Sequence, residues 1–107
     1  MPLAGEIWLA DIPFTQGTAS KIRPILLLWE DAADVVVAAV TSAQPRSAMD
    51  VALQDWKSEG LRVASCVRLS RLDCLEKVLL RRRLGRLSRT DAEHLKQVWS
   101  KEIQLRF

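Results

Sequence analysis

Histidine is almost missing from this chain: His94 is the only one among 107 residues. It falls in a stretch with helical spacing and reads as a polar surface residue. A single histidine excludes acid–base catalysis by a histidine pair. No carboxylate cluster recurs at ligand spacing either, so no metal is expected. Cysteine is scarce too. Cys66 and Cys74 fit no zinc or redox spacing and form no disulfide framework. Both are expected to be buried, reduced thiols in apolar surroundings. There is no Walker loop and no Gly-rich dinucleotide fingerprint, so no cofactor is expected. The longest apolar runs, residues 25–29 and 35–40, are far too short to cross a bilayer. The first residues carry no basic-then-apolar signal. The expectation is one cytoplasmic domain over residues 1–107, with no membrane contact.

What is present is an ordinary globular balance, 49% apolar and 27% charged. The formal net charge of +3 is modest, and its placement says more. Between residues 62 and 89 stand Arg62, Arg68, Arg71, Lys77, Arg81, Arg82, Arg83, Arg86 and Arg89, against only Asp73 and Glu76. Such a stretch is a footprint for a polyanion, or a solvated face, or a set of arginines paired with acids from elsewhere in the fold. Charge alone does not choose among these.

The chain reads as short strands closed by one helix. Residues 6–11 are strand formers. A small polar loop over 15–20 follows, and Lys21-Ile22-Arg23-Pro24 leads out of it. Pro24 holds Arg23 extended and can open a strand but cannot donate within one. Residues 25–29 form a continuous apolar run, as a strand buried on both faces does. A turn at 31–34 precedes the β-branched run 35–41. Residues 42–47 are loop, 50–54 alternate like a half-buried strand, and 57–60 turn. Further strands are expected at 63–69 and 75–84. The period then changes. Ser88 with Asp91 three residues later is a weak capping box, and Leu95, Val98 and Trp99 share one helical face, with Ala92 adjoining. A helix over 89–102 is predicted. Short strands with a terminal helix imply a mainly β fold, an antiparallel sheet or small barrel with the helix packed on it.

The remaining chemistry is phosphate chemistry that needs neither histidine nor metal. RNA supplies its own nucleophile, the 2′-hydroxyl. A protein need only align it and stabilise charge on the phosphorane. The planar fork of arginine binds phosphate oxygens bidentately, and a fixed hydroxyl can donate to the same oxygens. Arg23, leaving a loop, and Thr41, ending a strand, fit those parts. By residues alone, Arg23 is one of eleven arginines and Thr41 can simply end a strand.

Gly5-Glu6-Ile7-Trp8, then Pro13, Gly17 and Arg23-Pro24, resembles the opening of the MazF/PemK toxin family. The run 25–28 resembles its next strand, and Val37-Ala38-Ala39-Val40-Thr41-Ser42 the strand ending in Thr-Thr or Thr-Ser. Arg68-Leu69, then Leu84-Gly85-Arg86-Leu87-Ser88 and the helix, resemble its closing strands and helix. The resemblance implies an SH3-like or CcdB-like antiparallel barrel with a C-terminal helix, usually a homodimer. It implies a metal-independent endoribonuclease acting on single-stranded RNA and blocked by a cognate antitoxin. Arg23 and Thr41 fall on the family's catalytic pair. The first loop lacks the Ser-Glu-Gln type sequence of many members, so no cleavage sequence carries over. Gln16, Ser20, Lys21, Ser42, Gln44 and Arg46 are candidate RNA contacts.

Trp8 and Trp99 are expected in the core, and Trp29 in the core or a dimer interface. Trp56 is expected to stack on a base or to cap the barrel. Four tryptophans in so small a β-rich domain also favour a homodimer. Two rival functions stand beside the nuclease: the gyrase-inhibiting branch of the same fold, and a non-catalytic nucleic-acid-binding protein.

Overall fold

The computed structural model describes residues 2–13 and 20–107. The β-branched run at Val35, Val36 and Val37 supplies the middle of the sheet. It belongs to strand β3 (Asp34–Thr41), flanked by β2 (Ser20–Asp31) and β5 (Cys66–Glu76). Strands β1 (Glu6–Pro13), β4 (Asp50–Ala52) and β6 (Leu80–Arg86) complete six strands in the order β4-β5-β3-β2-β1-β6, every pair antiparallel. Helix α1 (Arg89–Glu102) follows, within the span the sequence predicts.

Side chains alternate across each strand, and both faces of this sheet bury apolar groups. One face carries Ile7, Leu26, Ala38, Val40, Val67 and Leu69, with Leu95 of α1 packed on them. The other carries Ala10, Ile25, Leu27, Val35, Val37 and Leu75. The uninterrupted run at 25–27 thus feeds both clusters, which explains its lack of alternation. Trp8 leans on the second cluster and Trp99 on the first. Trp29 is 45% exposed and meets Trp99 edge-on, ring centroids 6.0 Å apart.

Several expectations change. Pro24 lies inside β2 rather than at its start. The β2–β3 ladder stops at Ile25↔Ala39, so at Pro24 the strand has β1 alone as partner, an edge-like place where a missing N–H is tolerated. The strand expected at 50–54 ends at Ala52, because the amides of Gln54 and Asp55 turn to donate to the Asp91 carboxylate, at 2.9 and 3.0 Å. The strand expected at 63–69 starts at Cys66 and runs on to Glu76. The one expected at 75–84 is broken by a 3-10 turn over Lys77–Leu79, where the Lys77 amide donates to the Ala33 carbonyl, 2.9 Å. Cys66 is buried as expected, but Cys74 is exposed. It stands opposite Val36, on the helix-side face near the β2–β3 turn and outside the cluster that α1 covers.

Candidate functional site

The end of the β2–β3 ladder opens the sheet. Continuing the Ile25↔Ala39 register by two residues sets Arg23 opposite Thr41. On the other side of β3, Ala39 faces Arg68 and Thr41 faces Cys66. All these residues point to the face away from α1. Arg23, Ala39, Thr41 and Arg68 line a groove of about 590 Å³ together with Ile12, Pro13, Pro24, Leu72, Arg71 and Asp73.

Each group is held differently. Arg23 is exposed and extended, as its place before proline requires. Thr41 Oγ1 accepts a hydrogen bond from the Ala43 amide, 3.1 Å, which turns the chain out of β3 and leaves the hydroxyl proton free to donate. Arg68 is nearly buried, its side chain 11% exposed, with Nε 3.5 Å from Asp50 Oδ2. That ion pair is not a hydrogen bond, and Nε has no hydrogen-bond partner among the described residues. Asp50 Oδ2 also accepts from the Arg46 amide, 2.8 Å, so one carboxylate ties the loop after Thr41 to β5. Burial, and then the charge of Asp50, push the Cys66 thiol up. The thiol donates to the Ala43 carbonyl over 3.6 Å. Cys66 is thus a poor nucleophile despite its position.

The structure brings Arg23 and Thr41 to one groove. Ser42 adjoins Thr41, while Gln44 and Arg46 sit exposed in the following loop, outside the lining. Lys21 lies two residues before Arg23 on β2, also outside the lining, and the Ser20 side chain bonds Asp11, helping to hold that carboxyl low. Gln16 lies outside the described residues. Trp56 packs against the helix-side core, as a cap does, away from the groove.

Arg68 and Arg71 are the groove residues that sequence reasoning placed only in a basic stretch. A β-bulge brings them in. β3 pairs Ala38 with Leu72 and Ala39 with Arg68, so residues 69–71 have no opposite number. Of that stretch, Arg68, Lys77, Arg81 and Arg83 pair with Asp50, Glu30, Asp11 and Glu6. Pairing with acids from elsewhere therefore accounts for much of it.

An antiparallel sheet backed by a C-terminal helix, with a cationic groove on the free face, defines a class of small toxin folds. The profile of the family described as PemK-like, MazF-like toxin of type II toxin-antitoxin system matches residues 3–101, and the chain belongs to that family. Among solved structures it is similar to an endoribonuclease in complex with its cognate antitoxin from a mycobacterial species, TM-score 0.79 at 20% identity, covering 100% of this chain and 99% of that one. It is similar to the Mycobacterium tuberculosis toxin MazF-mt6, TM-score 0.71 at 20% identity, covering 94% and 99%. It is also similar to MazF from Deinococcus radiodurans, TM-score 0.69 at 20% identity, covering 94% of each chain. No curated protein matches by sequence.

Proposed function

We propose that this protein is a toxin-type endoribonuclease that cuts single-stranded RNA in the groove between β2, β3 and β5, without a metal. The observation that carries the reading is that Arg23 and Thr41 line one groove that also holds Arg68 and Arg71. The RNA 2′-oxygen attacks the adjacent phosphorus, a 2′-O–P bond forms, and the P–5′-O bond breaks. The 2′-hydroxyl proton passes to water, and the departing 5′-oxygen takes one up. Arg23 donates its fork to the phosphorane oxygens, and the Thr41 hydroxyl, its lone pair engaged by Ala43, donates to the same charge. Among the described residues, no three His, Cys, Asp or Glu side chains converge as metal ligands do.

The family supports a cognate antitoxin as partner, and a mycobacterial neighbour was solved with one. A homodimer is in keeping with Trp29 and Trp99, which border an open apolar groove of about 920 Å³ between α1 and the sheet. The place of action is the cytoplasm, where RNA is. Among the described residues, no helix is long and apolar enough to cross a membrane.

The test is cleavage of single-stranded RNA in EDTA. The expected upstream product carries a 2′,3′-cyclic phosphate or the 3′-phosphate derived from it. Activity lost in EDTA and restored by Mg²⁺ overturns the mechanism, and binding without cleavage under any condition favours the non-catalytic reading.

A further inference from the structure

The groove holds one group that a pure phosphate track would exclude. Asp73 is a carboxylate lining the same wall as Arg23, Arg68 and Arg71. It faces Val37 across β5–β3, which puts it on the groove side of the sheet. Neither Asp73 nor Arg71 has an ion-pair partner within 4.0 Å among the described residues. Asp73 Oδ1 accepts from the Cys74 amide, 2.9 Å, and Oδ2 has no partner among the described residues. An unpaired carboxylate repels phosphate but accepts from N–H donors. A ligand that satisfies it and a guanidinium two residues away must carry donors on one edge and acceptors on another. Apolar groups beside them, Ile12 and Pro13, offer the flat contact that a base needs.

We infer that Arg71 and Asp73, presented by the β5 bulge, read a guanine of the bound RNA. The inference rests on the endoribonuclease reading for its RNA, but not for any chemical step. Guanine alone among the four bases sets two adjacent donors, N1–H and the N2 amino group, against one carboxylate. Its O6 and N7 accept together from an arginine fork. Adenine offers the carboxylate only its N6 amino group, cytosine only N4, and uracil only N3–H. The bulge is what makes the site. Without it, regular alternation counted from Arg68 would send both Arg71 and Asp73 to the helix side.

The test uses 2′-O-methylated pentanucleotides of sequence UUNUU, which lack the nucleophile, so binding is read apart from cleavage. The guanine oligonucleotide is expected to bind about tenfold more tightly than the other three, as a well-formed bidentate contact discriminates. Asp73→Asn and Arg71→Gln are each expected to bring the four within about twofold, while circular dichroism shows them folded. Equal binding of all four bases by the native protein, preference for another base, or a guanine preference that survives both substitutions overturns the assignment. A guanine preference in a protein that never cuts RNA sinks the nuclease reading and leaves this one standing.

Discussion

Glu59 and Asp91 meet as a buried carboxyl pair joining the 54–60 segment to the start of α1, each with no exposed surface. Asp91 accepts from the amides of Gln54 and Asp55, and Glu59 Oε2 from the Ser88 amide, 2.7 Å. Burial raises the Glu59 carboxyl to about 7, and the neighbouring Asp91 charge adds to this. The amides of Gln54 and Asp55 hold the Asp91 carboxyl low against its burial. Below about pH 7 the pair thus holds one proton, on Glu59.

A stability profile follows from that pair. A group whose folded value is raised stabilises the fold fully below its unfolded value, near 4.5, and loses that contribution as pH rises through about 7. The native protein should therefore melt several degrees lower at pH 8 than at pH 5, taking about 4–8 °C per kcal/mol. Glu59→Gln keeps the shape and an acceptor for the Ser88 amide without the charge, so its melting temperature should be flatter over that range. Parallel curves for the two proteins would refute the proton on Glu59. Asp91 acts in the opposite sense, contributing above its unfolded value near 3.8 and losing that as pH falls, outside this window.

The same segment approaches β6 too closely for any side chain. A Cβ on Gly85 would lie 2.3 Å from the Glu59 carbonyl oxygen, and one on Gly60 2.2 Å from that of Leu84. Gly60 also takes φ +93°. Both obstacles are backbone, so neither can swing aside. Gly85→Ala and Gly60→Ala should each cost about 2 kcal/mol or more, read by urea unfolding. A cost under half of that would mean the two segments separate freely.

Local signals were legible in the sequence, and long-range ones were not. The Ser88 cap and the Leu95–Val98–Trp99 spacing fixed α1, because a helix is decided by neighbours three and four residues apart. Arg23 and Thr41 were singled out by their resemblance to a family motif, and the fold brings both to one groove. The end of β4 was not, since Asp91 stops it from 37 residues away. The bulge at 69–71 escaped for a like reason. Nothing in Leu69-Ser70-Arg71 marks it, and the register of β3 against β5 creates it. Without the bulge, Arg71 and Asp73 could not be assigned to a groove. The exposure of Cys74 depends likewise on where α1 stops covering the sheet.

RNA binding should depend on salt less than the basic stretch implies. Lys77, Arg81 and Arg83 are already paired with acids outside the groove. In the groove Arg23 and Arg71 are left to neutralise phosphates, and Arg68 makes a third where a phosphate displaces Asp50. Each phosphate contact on a single strand contributes a slope of about −0.7, so the log–log slope should fall between about −1.4 and −2. Fluorescence anisotropy from 50 to 300 mM salt measures it. A slope steeper than about −4 would mean that the paired arginines open and bind RNA too.

The proposed chemistry stands or falls on Arg23 and Thr41. Removing a single transition-state donor typically costs about a hundredfold or more in kcat, so Arg23→Ala should lose at least that. Arg23→Lys should recover only part, because an ammonium is a point charge without the bidentate fork. Thr41→Val swaps a hydroxyl for a methyl of like shape and should also lose activity, whereas Thr41→Ser keeps the donor and should retain more. Stability separates chemistry from structure here. Arg23 is exposed and belongs to no ion pair among the described residues, so its loss should leave the melting temperature within a few degrees. Thr41 holds one local hydrogen bond, to the Ala43 amide, worth about 1 kcal/mol, so Thr41→Val can cost a few degrees and no more. If the residues were structural, cleavage would fall only as far as melting temperature did. Measured side by side, the four variants should instead show cleavage rates spread over orders of magnitude at nearly constant stability. A well-folded Arg23→Ala protein that cuts RNA at the native rate would end the mechanism, whatever the fold.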